Sequence, residues 1–265
     1  MRKQKYNLPL KLIILLVVIL LAIFLLIGYI WTVLNTSDFF SVKKVIVRNL
    51  DTSFDDLKGK NIFSLDLNSQ SRRVFSKYPD CRMVRFSRIL PDCIVVDFLK
   101  RQPVALIKFY KDFAVDAQGI LFYPNISFAE ANLPEIYGLE TKIFAPKLGI
   151  KYNRPELDLA LSIIKEIKAN KSFKSFTLKK IDVLSLQSAG FFILLPKQVV
   201  NYTLSTPQLE WVGFEVRVGE GNIKQKIMIL GGLIMQERKD WGNIKYIDLR
   251  FKEPLIKLNN NLDKK

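Results

Sequence analysis

The chain contains few residues that could act in catalysis or bind a metal, and it lacks histidine. The 265-residue sequence contains no histidine. This excludes the Ser-His and Cys-His nucleophile systems, histidine metal ligands and the commonest general base near neutral pH. Asp116 stands in the phrase VDAQG with no second acid or base placed near it, so we interpret it as a turn residue. We therefore predict a protein that is not an enzyme, with no catalytic, cofactor-binding or metal-binding residues and no cofactor.

The two cysteines are the next candidates for chemistry. Cys81 and Cys93 begin two predicted strands that form a hairpin around the turn at Leu90-Pro91. In the expected register Phe86 lies opposite Cys93, which leaves Cys81 several residues away. A disulfide needs a Cα separation of about 5.5–6 Å. We therefore predict two buried thiols and no bridge.

The phrase IDLRF near the end of the chain carries an acid and a base two residues apart. In a strand Asp248 and Arg250 point to the same side, while Leu249 points to the core with Ile247 and Phe251. As an exposed ion pair they would contribute only about 0–1 kcal/mol, so we do not interpret them as a stability device. Residues 245–251 and 255–258 are predicted to form a terminal strand or strand pair. Because an edge strand leaves unpaired N–H and C=O groups, we predict that a partner binds there by strand addition.

The element that fixes the position of all these residues is an apolar run near the N-terminus. Leu12 to Trp31 contains no charge, and a helix of this length is about 30 Å long, which matches the hydrocarbon core of a bilayer. The run is longer than the apolar part of a signal peptide and lacks a small-residue cleavage site. The flank before it holds Arg2, Lys3, Lys5 and Lys11 and no acid. We therefore predict one transmembrane helix with a cytoplasmic N-terminus and an extracytoplasmic bulk.

The charge of the exported part limits its partners. The chain carries 41 Lys and Arg against 25 Asp and Glu, a formal net charge of +16, and about +12 without its four N-terminal cations. A basic exported surface can contact anionic lipid headgroups or wall polymers, or it can simply be a well-solvated lysine-rich surface. The predicted topology puts it on the wrong side of the membrane for nucleic acid.

Two units are expected outside the membrane. The first begins with a strand at residues 39–47 and continues with a short helix at 51–60. Residues 61–67 then lead into a second helix that runs to about residue 76, and strands at 82–87 and 93–101 follow. This order is βααββ, an α+β module. The remainder is mostly β, with short strands around the turns at 111–112 and 116–119. Two helices, at about 155–169 and 223–238, are expected to pack on its sheet.

Several phrases carry a resemblance to a known family. The chain resembles FtsQ, also called DivIB, a bitopic cell-division protein with an extracytoplasmic POTRA domain followed by a β domain. The phrases occur in the family's order and spacing and cover nearly the whole chain: VKKVIVRNL at 42–50, KNIFSLDL at 60–67, VRFSRILPDCIVVDFLKRQPVA at 84–105, FAVDAQGILF at 113–122 and IDLRF at 247–251. Two departures are Lys100, where the family usually has an acid, and KEPL at 252–255, which replaces a glycine-containing turn and a tryptophan.

The resemblance implies a domain scheme and a fold class. The scheme is a cytoplasmic tail at 1–11, a transmembrane helix at 12–31, a POTRA domain at 38–103, a β domain at 104–258 and a disordered tail at 259–265. The fold class is α+β, in which the β domain is mostly antiparallel with two packed helices.

The resemblance also implies a function and a site. The function is a non-enzymatic divisome scaffold, in the inner membrane and enriched at the septum, that recruits bitopic partners like FtsB and FtsL and links early to late division proteins. Partner-binding residues on the edge strand are then Tyr246, Asp248, Arg250, Phe251 and Glu253. The alternative is a POTRA-bearing envelope assembly or export protein unrelated to division, although the chain lacks barrel strands. A membrane-anchored wall hydrolase would need a carboxylate pair or metal ligands, and the sequence offers neither.

Overall fold

The computed structural model describes residues 10–123, 132–199, 208–236 and 241–259. The chain separates into two compact units, residues 1–100 and residues 101–265. Most of the predicted cytoplasmic tail and nearly all of the predicted C-terminal tail lie outside the described residues.

The first element is the apolar helix α1, Leu10–Thr36. It is the one helix among the described residues that is long and apolar enough to cross a membrane, with a mean hydropathy of 3.4 over an 18-residue window within Lys11–Thr36. Its apolar side chains from Leu12 to Val33 are exposed, as expected of a lipid-facing helix, and Leu34 in its last turn is half-buried. It continues beyond Trp31 with polar residues, of which Thr32, Asn35 and Thr36 donate hydrogen bonds to carbonyls one turn earlier.

The rest of unit 1 is a three-stranded sheet with one helix. Strand β3 lies in the centre, parallel to β1 and antiparallel to β2, and buried side chains such as Phe98 form the core. The order of elements along the chain is β1 (Lys44–Arg48), α2 (Leu67–Lys77), β2 (Cys81–Ile89) and β3 (Cys93–Lys100). The second predicted helix is confirmed as α2, which begins after Asp66, whose carboxylate accepts from the backbone N–H groups of Asn68 and Ser69.

The first predicted helix of this unit, residues 51–60, is wrong. Only the single 3-10 turn Asp55–Leu57 forms there. The chain after this turn leaves the helical path at Gly59, which has a φ of +78°. The backbone then pairs with the segment before β1, where Gly59 N donates to Val42 O and Val42 N donates to Lys60 O, both at 2.9 Å. These long-range bonds satisfy the groups that a helix would have paired locally.

The predicted register of the β2–β3 hairpin is also wrong. Phe86 pairs with Val96 rather than with Cys93. Strand β2 extends to Ile89, which pairs with Cys93, so the turn is shorter than the sequence indicated. Cys81 pairs with Lys100 at the far end of the hairpin. Both cysteines are thiols, as predicted, although only Cys81 is fully buried and Cys93 is half-buried.

Unit 2 is built on a nine-stranded sheet with the order β12-β11-β10-β9-β8-β7-β4-β5-β6. The strands are β4 (Ala105–Lys108), β5 (Asp112–Val115), β6 (Leu121–Phe122), β7 (Glu135–Tyr137), β8 (Thr177–Asp182), β9 (Gly190–Val199), β10 (Gln208–Arg217), β11 (Ile244–Asp248) and β12 (Leu255–Leu258). The helices are α3 (Pro155–Ala169) and α4 (Ile223–Gln236). The α+β class and the two helices are as predicted.

This sheet is more mixed than predicted. Neighbouring strands are parallel in the pairs β4–β7, β7–β8 and β10–β11, and antiparallel elsewhere among the described strands. Parallel pairing follows from the long connections, because α3 lies between β7 and β8 and α4 between β10 and β11. Both helices contribute buried side chains to one core with the sheet, such as Leu157 and Ile164 from α3 and Ile227 and Leu230 from α4.

Candidate partner-binding site

The end of the large sheet is formed by β12. This strand pairs with β11 on one side, and among the described strands no other pairs with it. All four of its residues are exposed, including Leu255 at 54%, Ile256 at 40% and Leu258 at 56%. Neighbouring residues of a strand point to opposite faces, so apolar side chains are exposed on both faces of this edge. An exposed apolar edge of this kind is where another chain can add a strand.

The five predicted site residues lie beside this edge but not on it. Tyr246 and Asp248 are on β11, which pairs with both β10 and β12 and is therefore an inner strand. Arg250, Phe251 and Glu253 lie in the connection between β11 and β12. The predicted strand pair forms, as β11 and β12, but the placing of these five residues on the edge strand is corrected, because β12 pairs along the outer side of β11. Whether these five residues bind a partner stays a prediction.

Tyr246 stands at the centre of a charged cluster that extends over three strands. It pairs in register with Glu215 of β10 and Lys257 of β12. The guanidinium of Arg217 stacks over the Tyr246 ring, with its central carbon 4.2 Å from the ring centroid. The Nε of Arg217 also donates to Glu215 at 2.9 Å, and this bond raises the pKa of Arg217. The cluster gives the sheet surface next to β12 a cation, an anion and an aromatic ring in fixed positions.

Asp248 and Arg250 form a bidentate ion pair. Asp248 is 3% exposed and accepts hydrogen bonds from Arg250 Nε at 2.9 Å, Arg250 Nη2 at 2.6 Å and the Arg250 backbone N–H at 3.0 Å. The side-chain hydrogen bonds from Arg250 lower the pKa of the Asp248 carboxyl. The sequence predicted the possibility of this pair but placed it at the surface. Because the Asp248 carboxylate is buried, the ion pair holds the start of the connection between β11 and β12 in place.

The same pair explains the position of Phe251. The sequence pattern placed Ile247, Leu249 and Phe251 together in the core, and the first two are indeed buried at 0% and 3% exposure. Phe251 is 58% exposed. The strand alternation ends because β11 stops at Asp248, whose carboxylate holds the backbone of Arg250 in a turn. Phe251 therefore lies over a groove of about 190 Å³ that the β11–β12 connection forms with Ile229 and other residues of α4.

Lys226 of α4 is a further residue of this region, and no pattern in the sequence indicated it. Its Nζ donates to the carbonyls of Val218 at 2.6 Å and Glu220 at 2.7 Å. Partial burial lowers the pKa of this amine. Lys226 thereby fixes the loop that leads from β10 into α4, beside the groove under Phe251.

The turn at Asp116 holds a second unexpected ion pair, away from the edge. Oδ1 of Asp116 accepts from the backbone N–H groups of Gln118 and Ile120, which confirms the turn role predicted for it. Its Oδ2 accepts from Arg101 Nη1 at 2.7 Å, and the two side chains are only 8% and 2% exposed. The partner of Asp116 is thus the first residue of unit 2, 15 residues earlier in the chain.

The described residues contain no group of three or more His, Cys, Asp or Glu side chains that could hold a metal ion. The chemistry visible at the edge is that of recognition: unpaired main-chain groups on β12, apolar side chains around them, and fixed charges on the adjoining strands. These features suit the binding of an extended segment of another protein.

Comparison with known proteins gives two relatives. The chain is 25% identical over 239 residues to the cell division protein FtsQ of Geotalea daltonii, an alignment that spans 86% of this chain and 80% of that protein. It is 26% identical over 231 residues to the cell division protein FtsQ of Syntrophotalea carbinolica, spanning 84% of this chain and 75% of that protein. No family model matches the sequence.

Proposed function

The chain belongs to the FtsQ family of transmembrane cell-division proteins, and from that premise we propose that it is a non-enzymatic scaffold of the division machinery. In this proposal α1 anchors it in the cytoplasmic membrane and unit 2 recruits bitopic partners like FtsB and FtsL. Recruitment links early to late division proteins at the septum.

The observation that carries the proposal is the exposed edge at β12. Three of its four side chains are apolar and exposed on the faces of the sheet, beside the unpaired main-chain groups of its outer edge. A partner strand added there would gain main-chain hydrogen bonds from the edge and would cover Leu255, Ile256 or Leu258 according to its register. The Tyr246 cluster lies one strand further in than β12, and Phe251 lies in the connection that leads to β12; both would supply specificity through charge and shape.

The proposal includes an orientation and a domain assignment. The basic residues before α1 favour a cytoplasmic N-terminus, so both units would lie on the other side of the membrane. Unit 1 after the anchor would be the POTRA domain, at about residues 38–103, and unit 2 the β domain, at about 104–258. The exported surface, with its excess of lysine and arginine, would also contact anionic lipid or wall polymer.

A backbone substitution tests strand addition directly. The N–H of Asn259 donates to Asn243 O, next to the β11 ladder, at 2.6 Å. Because donor direction alternates along an antiparallel strand, the N–H groups of Ile256 and Leu258 point away from β11. Ile256→Pro removes one outward donor and leaves the inner ladder intact. We expect at least a tenfold loss of affinity for an FtsB-like partner, about 1.4 kcal/mol or more.

The matched control is Ile256→Ala, which keeps the N–H group and removes most of the side chain. Comparison of the two variants separates the contribution of the Ile256 N–H group to partner affinity from that of its apolar side chain. Both variants should have the melting temperature of the parent. If Ile256→Pro folds normally and binds with unchanged affinity, β12 is not the site. Enrichment of a fluorescent fusion at midcell tests the division role independently, and a uniform envelope signal would argue against it.

A further inference from the structure

One end of the unit 1 sheet is attached to the membrane helix. We call it the anchor-proximal end and define it as residues 38–44, 58–62 and 88–93. These segments are joined by backbone hydrogen bonds: Ile62 N donates to Phe40 O at 2.8 Å, and Lys43 N donates to Asp92 O at 2.8 Å. Both the start of β1 and the tip of the β2–β3 hairpin therefore belong to the same end of the sheet, opposite the end that holds Cys81 and Lys100.

Asn61 fixes this end to the last turn of α1. Its side-chain amide donates to Leu34 O at 2.8 Å, one of the carbonyls that a helix terminus leaves without an intrahelical partner. Its Oδ1 accepts from Phe63 N at 2.8 Å, so the amide is held from both sides. The loop around Asn61 is thereby placed at the depth of Leu34.

That depth is set by the length of α1. The apolar run Leu12 to Trp31 has the length of the hydrocarbon core, and Leu34 lies three residues further, about 4.5 Å along the helix axis. The headgroup layer is about 5–7 Å thick on each side of the core. The contact between Asn61 and Leu34 therefore falls within the headgroup layer of the membrane that α1 crosses.

The anchor-proximal end also has an unusual surface. Phe39 is 62% exposed, and the hairpin tip carries Ile89 and Leu90 at 50% and 57% exposure. Hairpin tips in water are normally formed by glycine, asparagine, aspartate or serine. The same three segments hold five cations, Lys43, Lys44, Lys58, Lys60 and Arg88, against the two carboxylates of Asp38 and Asp92.

The tip is fixed to the loop that contacts α1. Arg88, immediately before the tip, donates through Nε to Ile62 O at 2.7 Å and through Nη2 to Leu65 O at 2.6 Å. Ile62 follows Asn61 directly. One arginine side chain thus connects the exposed tip to the residue beside the anchor contact.

We propose that the anchor-proximal end is a second membrane-binding site, which lies in the headgroup layer of the bilayer that α1 crosses. Phe39, Ile89 and Leu90 contact the boundary of the acyl chains, and the exposed Lys44 and Lys60 face lipid phosphates, while Lys43 is paired with Asp92 and Lys58 with Asp55. The continuity of this surface with the membrane helix identifies lipid as its occupant. The site would hold unit 1 at a fixed height on the membrane. This inference rests on the proposed membrane anchoring and does not depend on the partner at β12.

The test uses the full chain in lipid nanodiscs that contain anionic lipid, with or without bromine on the acyl chains. Leu90→Trp introduces a fluorophore at the tip, and its emission is obtained by subtracting the spectrum of the parent. We expect brominated lipid to quench about half or more of this added emission, as for an interfacial tryptophan. Ile89→Trp gives a second measurement at the neighbouring position.

The control is Leu99→Trp, at a position 49% exposed on the same sheet but at its opposite end. Its added emission should be quenched little. The parent also contains Trp211 and Trp241, so the quenched emission that is lost in Trp31→Phe is used to report on α1 alone. Loss of the anchor and loss of the tip contact are then distinguishable. If Trp31 is quenched while the tip positions behave like residue 99, the second lipid site is ruled out and any other occupant of the tip, such as a partner protein, must be sought.

Discussion

The carboxylate of Asp248 and the guanidinium of Arg250 meet at 2.6 Å, with the Asp248 side chain 5% exposed and that of Arg250 33% exposed. The pair closes the turn after β11 and so determines where β12 begins. Loss of this ion pair would therefore both destabilise the end of β11 and disturb the connection that places β12, the proposed binding edge.

We expect Asp248→Asn to destabilise the protein by about 2–3 kcal/mol near pH 7, since it removes a buried charge-assisted pair. The folded-state pKa of Asp248 lies below its ordinary value because of the hydrogen bonds from Arg250. A lowered folded pKa adds stability that is present above the unfolded pKa and is lost as pH falls through the folded one. The difference between variant and parent should therefore shrink below about pH 4.

The measurement is urea unfolding of the purified protein in detergent at several pH values. Asp182→Asn is a suitable control, because that carboxylate is 52% exposed and its cation, Lys180, lies 3.9 Å away. It should change stability by less than about 1 kcal/mol at any pH. An Asp248→Asn effect that stays constant from pH 7 to pH 3 would mean that the charge of Asp248 is not what stabilises this turn.

The Arg101–Asp116 pair makes a second prediction. Arg101→Ala leaves a buried carboxylate without this partner, and we expect a loss of about 3–5 kcal/mol. Asp116→Asn keeps an oxygen for the turn but removes the charge. In the double variant Arg101→Ala with Asp116→Asn, the loss should be smaller than the sum of the two single losses by at least about 1 kcal/mol. Strict additivity in unfolding free energies would show that the two side chains act independently.

Adjacent glycines of α4 should respond in opposite ways. A Cβ on Gly231 would lie 2.8 Å from Asn170 Nδ2, and Asn170 cannot move away freely because its Oδ1 accepts from Ser172 N. A Cβ on Gly232 meets nothing within 4 Å. We expect Gly232→Ala to stabilise the protein by about 0.5–1 kcal/mol through helix propensity, and Gly231→Ala to give no gain or a loss. Thermal unfolding of both variants checks this, and equal shifts would contradict it.

Local patterns predicted the local elements of the fold well. Helix α3 has the predicted bounds because Leu157, Ala160 and Ile164 repeat at helical spacing on its buried face. The failures involve distant partners. The 3-10 turn at 55–57 replaces a helix because residues 59 and 60 pair with Val42, and the parallel β10–β11 pairing depends on where the chain returns after α4.

The candidate site was likewise predicted in its local pattern but not in the contacts that its side chains make. Its location at the end of the chain followed from the pattern of a terminal strand, but the identity of the edge strand did not. The exposure of Phe251 depends on a side chain three residues earlier, and the partner of Asp116 is separated from it by two strands. No periodicity in the sequence carries information of that kind.

The last prediction separates folding from binding at two neighbouring positions. Leu249 is 3% exposed, and its backbone N–H donates to Arg217 O at 2.7 Å, which extends the β10–β11 ladder. Leu249→Asp would bury a charge in the core and should unfold unit 2 or lower its stability by several kcal/mol. Phe251→Ala removes a mostly exposed ring and should leave the melting temperature nearly unchanged. It should, however, weaken binding of an FtsB-like partner by about 1–2 kcal/mol if the ring lies in the interface. Circular dichroism melting and partner titration on the same preparations test both halves. A Phe251→Ala protein that melts and binds like the parent would remove Phe251 from the interface while leaving the β12 edge to be judged by Ile256→Pro.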